Sequence, residues 1–294
     1  MQQEEIPRFR IGELSRRVEV PPTLLRAWEK RYGLLRPARS EGNFRLYSHD
    51  DVARVWAMKA HVAHGVAAAE AARLALAEDT RRLEDTELGS RGSRQAVDEL
   101  RAALVRFDGA GAHTALDRAF AMQALEQVLA EIVLPCLRQI GEQWERGEIG
   151  VAQEHFASTL LRSRLLALAQ GWNSGSGPAA ALACPPGELH DIGLICFGLA
   201  LWRHGWRIFY IGQDTPIDQL RQMASSVTLS LLVVAAHSPE MFREPAQELR
   251  ALAGEAHLAI AGAGASAEIA SELRATALGG DAIAAAAAIA SGRA

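Results

Sequence analysis

From Ala179 onward the chain alternates four short apolar runs with helix-length segments, and this alternation constrains the fold more than any other feature. The runs are AAALAC (179–184), WRIFYIG (206–212), LSLLVVAA (229–236) and AHLAIAG (256–262). Each is strand-length and apolar at consecutive positions, as a strand covered on both faces must be. Between them, 188–204, 216–226, 239–253 and 265–275 read as helices. The alternation predicts a doubly wound parallel sheet, Rossmann-like, over 178–294. Such sheets take ligands at the carboxyl ends of their strands, so a site is expected in the loops after Cys184, Ile211 and Ala236. The Ala-rich tail DAIAAAAAIASGRA reads as a closing helix.

The rest of the chain is α, so the fold class is multidomain α and α/β. Residues 93–172 carry long helical patterns and predict a helical bundle, closed off by the turn-rich GWNSGSGP at 171–178. Residues 78–92 are polar, end in GSRGS and read as a linker; residues 1–77 form a separate, Arg-rich head. Net charge is −4, yet residues 1–60 carry a balance of +4, which leaves −8 on the remainder. Only the head is suited to meet a polyanion. The three cysteines, Cys136, Cys184 and Cys196, show no paired spacing, which excludes a disulfide framework and a CxxC zinc site and points to the reducing cytoplasm. No apolar run approaches the roughly 20 residues of a membrane span, and MQQEEIPRFR lacks the apolar core of a signal peptide.

Within the head, IGELSRRVEVPPTLLRAWEKRYGL reads as two short helices joined by a tight turn. Ile11, Leu14 and Val18 give the first an apolar stripe; Leu24, Leu25, Trp28 and Tyr32 give one to the second, which Pro21-Pro22 opens and Gly33 closes. Thr23, Arg26, Lys30 and Arg31 occupy its other face. Arg39 to Tyr47 alternates around a glycine turn as a short hairpin does. A helix for the major groove beside a basic hairpin suits double-stranded DNA. The run T-L-L-R-A-W-E-K-R-Y-G-L-L-R-P-x-R-x-x-G-N-F-R-x-Y-S-x-x-D-V resembles the MerR family of winged helix-turn-helix regulators over residues 8–77. The resemblance implies that Arg26, Arg31, Arg39, Asn43, Arg45 and Tyr47 face DNA, with Trp28 packing partly inside. No metal-sensing cysteines follow the head, which disfavours the metal-responsive branch of that family.

The first strand loop, C-P-P-G-E-L-H-D-I-G (184–193), puts His190 where a helix begins, and Gly193 allows a bulky ligand close to the backbone. Either Glu188 or Asp191 could hold the other ring nitrogen and fix the tautomer. With the second loop, G-Q-D-T-P (212–216), the segment resembles the cobalamin-binding domain of corrinoid proteins, Glu188 standing where aspartate is usual. The resemblance implies that His190 is the lower axial ligand of cobalt, with Asp214, Thr215, Gly262 and Gly264 around the nucleotide tail. Two positions depart from it. Ala235 falls where the family offers serine, with Ser238 close by, and Ala261-Gly262-Ala263-Gly264 replaces a Gly-Gly pair.

In the bundle, Trp144 followed ten residues on by Glu154-His155 resembles the signature of light-sensing cobalamin regulators of the CarH and LitR type. That implies a cap over the upper face of adenosylcobalamin, with Trp144 packed on the upper ligand and Glu154 and His155 nearby. The residue after the tryptophan, a histidine in some relatives, is Glu145 here. The whole resembles a DNA-binding repressor that senses adenosylcobalamin and light and works as a homo-oligomer, dimer or tetramer. One alternative is a regulator of the same family without light or cobalamin dependence; the rival of another class is a corrinoid carrier of a methyltransferase or mutase system. Against it stand the basic head and the absence of a barrel of about 250 residues for a substrate.

Overall fold

Two successive short helices and a hairpin build the head, and their ends are set by local turn chemistry. The computed structural model describes residues 9–40 and 42–292, and the side chains of 83–87 lie outside the description. Two units divide at Arg91/Gly92. In the first, α1 (Ile11–Val18) ends at Glu19 in the left-handed region, and Ser15 Oγ donates to Val20 O to fix the turn. Helix α2 (Pro22–Tyr32) starts on proline, whose missing N–H costs nothing in a first turn, and ends at Gly33 with φ +62°. Strands β1 (Ala38–Arg39) and β2 (Arg45–Leu46) pair antiparallel as the hairpin. Helix α3 (His49–Ala63) opens on a capping box between Ser48 and Asp51. Leu14, Val18, Leu25, Trp28, Tyr47, Val55 and Met58 make this unit's core. Leu24, expected in the apolar stripe, is exposed, because neighbours a hundred degrees apart on a helix cannot both face a narrow core and Leu25 takes the place.

Residues 78–92, read as a linker, lie inside α4 (Ala68–Val105). Interior Gly89 and Gly92 each cost about 1 kcal/mol of helix propensity, but the segment between the glycines and the helix start holds strong helix formers and no proline. In the second unit, α5 (Gly109–Met122), α6 (Leu125–Val128), a π turn over Leu129–Val133, α7 (Leu134–Glu145) and α8 (Val151–Ala167) complete the bundle. The π turn ends two residues before Pro135, which has no N–H for the ladder, and the wider turn accommodates it.

The sheet follows as β3 (Ala179–Ala183), α9 (Ile192–Arg203), β4 (Arg207–Gly212), α10 (Ile217–Ser226), β5 (Leu231–Ala235), α11 (Glu240–Arg243), α12 (Ala246–Ala253), β6 (Leu258–Ala261), α13 (Ala267–Leu273), β7 (Thr276–Ala277) and α14 (Ala282–Ala290). Its strands run in the order β4-β3-β5-β6-β7, all parallel. Successive side chains alternate between two cores. Ala180, Leu182, Val233 and Ala259 join the bundle, α9 and α14, while Ala181, Ala183, Leu232, Val234, Leu258 and Ile260 pack beneath α10, α12 and α13. The doubly wound parallel sheet is therefore present as expected, with β7 as an added edge strand. Because β3 is flanked by β4 on one side and β5 on the other, the chain direction switches between β3 and β5, the place where such sheets open a crevice. No helix among the described residues is long and apolar enough to cross a membrane.

Candidate functional site

On the head, Thr23, Arg26, Lys30 and Arg31 of α2 are all exposed, as are Arg39, Asn43 and Arg45 of the hairpin. Asn43 adopts φ +60° at the hairpin tip, and its Oδ1 accepts from Arg39 Nη1. Arg45 Nε donates to Glu29 Oε1 at 3.0 Å, so it is half-exposed and already paired. Tyr47 is placed otherwise than expected. It is fully buried, and its hydroxyl donates to Glu29 Oε2 at 2.9 Å. Burial, then Glu29, pushes the phenol's pKa far up, so Tyr47 serves the core and aims Glu29 rather than touching DNA.

At the switch point, Cys184 ends the buried strand and Pro185-Pro186-Gly187 turns the chain, with Gly187 at φ +80°. The loop after β4 is stitched to this turn. Asp214 Oδ1 accepts from Gly187 N at 2.8 Å, Asp214 N donates to Glu188 O at 3.1 Å, and Thr215 N donates to Cys184 O at 2.9 Å. Asp214 and Thr215 thus shape the loop that presents His190.

Glu188 is completely buried and decides the tautomer. Its Oε1 accepts from the backbone N–H of His190 at 2.8 Å and from the ring Nδ1 at 2.7 Å. Burial raises the carboxyl pKa, but backbone and ring hydrogen bonds from His190 and His237 outweigh it, and the net shift is downward. An ionised carboxylate only accepts, so His190 carries its proton on Nδ1 and keeps the Nε2 lone pair. Among the described residues nothing bonds that Nε2, and the His190 side chain is 71% exposed. Asp191, the other candidate, is used elsewhere: Arg162 Nε of α8 donates to its Oδ2 at 2.8 Å, and the Tyr210 hydroxyl donates to the same oxygen. Its buried Oδ1 has no partner.

A cavity of about 280 Å³ opens beside His190, Gly193, His237 and Gly262 and is closed on the bundle side by Leu134 and Arg138 of α7. A Cβ on Gly193 would meet nothing within 4 Å, leaving a free cradle on the first turn of α9. Gly262, at φ +91°, and Gly264 are required for another reason: a Cβ there would lie 2.3 Å from Ala236 O and 2.4 Å from the Ser238 backbone. They let the β5 and β6 loops touch. Trp144, half-exposed at the end of α7, and Glu154 and His155, at the start of α8, do not line this cavity. The residues fit a corrinoid: an imidazole nitrogen with a free lone pair, a glycine cradle and a cavity walled by small side chains. The three cysteine thiols are buried and pushed up to about 12, which removes thiolate chemistry.

His237, Arg162 and Arg138 escaped sequence reasoning. For His237 the signal existed, since it directly follows the third apolar run, LSLLVVAA (229–236). For the two arginines, which fall within ordinary helical patterns, there was none.

These parts define a DNA-binding regulator that carries a B12-binding module. Residues 9–78 match the model of MerR HTH family regulatory proteins, and 96–169 match that of a B12 binding domain. The chain is 33% identical over 253 residues to the HTH-type transcriptional repressor CarH of Myxococcus xanthus, covering 82% of this chain and 84% of the relative. It is likewise 33% identical over 252 residues to CarA of the same organism, with 83% of each covered. The monomethylamine corrinoid protein of Methanosarcina barkeri shares the fold, at a TM-score of 0.57 and 20% identity over 67% of this chain and 98% of that one. The chain belongs to the family of the HTH-type transcriptional repressors CarH and CarA. It is a B12-binding transcription regulator and not an enzyme.

Proposed function

We propose that this protein is a cytoplasmic, homo-oligomeric repressor that binds double-stranded operator DNA and responds to adenosylcobalamin and, through it, to light. The observation that carries this reading is His190 at the switch point, its tautomer fixed by buried Glu188 and its Nε2 open beside a cavity shared with the bundle. His190 would be the lower ligand. Bound adenosylcobalamin supplies a light-labile cobalt–carbon bond. The chain's own contribution is to sense that group from both sides. Arg162 of α8, bonded to Asp191 next to His190, couples the position of the bundle to the ligand loop. Trp144 offers a broad apolar surface, and Glu154 an acceptor for ribose hydroxyls. Loosening of the bundle would shift the population between assemblies, either dimer or tetramer against smaller species. Operator affinity would fall with the number of heads held together.

The test is an absorption titration with adenosylcobalamin, followed by green light, sizing and operator gel shift on the same samples. A cobalamin spectrum that changes on illumination, with a matching change in size and shift, is expected. No spectral binding, or no effect of light, overturns the corresponding half of the reading. Glu145 sharpens the result, because a carboxylate is a poorer partner for cobalt(III) than imidazole. The illuminated protein is expected to lack the signature of a second imidazole, and Glu145→His to acquire it. A second imidazole in the unmodified protein would transfer that role to His155.

For DNA, Arg26→Ala is expected to weaken operator binding by about 1–3 kcal/mol if the side chain reads a base. Arg45→Ala, if its partner is a phosphate, weakens all sequences alike and flattens the salt slope by about one unit. Unchanged affinity in both would show that the basic face is merely solvated.

A further inference from the structure

Glu188 serves two histidines, and only one is needed for cobalt. Its Oε2 accepts from the backbone N–H of His237 and from His237 Nδ1, both at 2.6 Å, as its Oε1 does for His190. The two rings stand with centroids 4.8 Å apart, and one donor atom from each of Glu188, His190 and His237 lies within 4.8 Å of the others. Among the described residues no lysine or arginine pairs with Glu188, so a wholly buried carboxylate is held by two backbone N–H groups and two imidazoles. Burial of a charge without a counter-charge is costly.

We infer that Glu188, His190 and His237 form a binding site for a divalent transition-metal ion in the cobalamin-free protein. Ligand bonds of about 2.0–2.2 Å to imidazole and carboxylate set opposed donors roughly 4.2 Å apart. Three donors on one tetrahedral ion stand closer, about 3.3–3.6 Å apart. The ring nitrogens now 2.6–2.7 Å from the carboxylate therefore draw back slightly, while the widest separation, within 4.8 Å, closes by up to about 1.5 Å. Two imidazoles with one carboxylate suit zinc, nickel or cobalt(II), whereas magnesium and calcium prefer oxygen alone. The carboxylate is preorganised, because the backbone N–H groups of residues 190 and 237 still anchor it when the ion replaces the ring N–H bonds. Both rings are substantially exposed, 71% and 49%, which leaves an entry path and room for water to complete the shell.

Ligation through Nδ1 moves the ring proton to Nε2 with no change in charge. On His190 that is the nitrogen the cobalt would need, so the ion and the corrinoid exclude each other. This exclusion rests on the cobalamin reading; the ion site does not.

The experiment uses the full-length, cobalamin-free protein titrated with Zn²⁺ by calorimetry and with Co²⁺ by visible absorption. One ion per chain is expected, with Co²⁺ bands of a nitrogen and oxygen shell. His237→Gln keeps a side-chain donor for Glu188 and is expected to weaken zinc about tenfold or more; Glu188→Gln is the second variant, with the same expectation. Preloaded Zn²⁺ should slow hydroxocobalamin uptake in the unmodified protein and not in His237→Gln. The chain has nine histidines, so zinc binding that is unaffected in both variants places the ion elsewhere and overturns the inference, as does absence of binding. Zinc bound without any cobalamin uptake leaves this site standing and removes the cobalamin reading. Cobalamin uptake without zinc binding does the reverse.

Discussion

His190→Ala is expected to lower cobalamin affinity by more than the roughly 10–100-fold that loss of a supporting residue costs a metal site. The imidazole sits at the crevice the strand order creates between β3 and β5, and Glu188 holds its Nδ1. Alanine removes the proposed cobalt ligand and leaves Glu188 with one of its two ring donors. Glu188→Gln keeps the imidazole but loosens the tautomer, and falls in the 10–100-fold range itself. Absorption titration with hydroxocobalamin and adenosylcobalamin measures both. DNA binding by the cobalamin-free chain should not change, because His190 lies outside the head unit. An unaltered isotherm and spectrum for His190→Ala would falsify its role as ligand.

The second large effect concerns the head. Arg54 is 5% exposed and makes three bonds there: Nη2 to Asp51 Oδ1 at 2.5 Å, Nη1 to Asp79 Oδ2 at 2.7 Å and Nε to Leu34 O at 2.9 Å. Arg54→Ala takes the guanidinium from two buried carboxylates, leaving Asp79 with Arg82 and Asp51 with the N–H groups of Arg36 and Ser48, and is expected to destabilise the unit by about 3 kcal/mol. Against a typical domain stability of about 5–15 kcal/mol, that is enough to separate the head's thermal transition from the rest. Operator binding should be lost at the temperature where the head melts, while cobalamin uptake persists. A single unshifted transition would show that the network contributes little.

The same network sets an acid limit. Burial pushes the Asp79 carboxyl up, but hydrogen bonds from Arg82 and Arg54 outweigh it and hold the folded pKa below the unfolded value. The stabilisation is complete above the ordinary carboxylate range and is lost as pH falls through the depressed folded value. Asp79→Asn should flatten the acid side of the head's stability profile.

Much of the fold was legible because it is written in local periodicity. The four buried strands read as apolar runs, since both faces of a doubly wound sheet are covered. Helix α1 read from its apolar stripe of Ile11, Leu14 and Val18, and α2 from its ends at Pro22 and Gly33. Strand β7 did not, because two residues carry no pattern. The glycines of GSRGS suggested a break that the surrounding helix formers override.

The site divides along the same line. His190 was legible because a histidine at a strand's carboxyl end, followed by a helix, is a local arrangement. The resemblance turned Tyr47 toward DNA, whereas it is fully buried; alternation in a hairpin tells which residues share a face but not which face the core takes. Glu188 over Asp191 as the partner of His190, and the approach of His237, were decided by tertiary structure alone. Glu188 and His237 are 49 residues apart and meet only because β5, not β4, lies on the far side of β3. Propensity and capping act over a few residues and are carried by the chain itself. Strand order is settled by which pairing buries both faces of the sheet, and no short stretch of sequence contains that information.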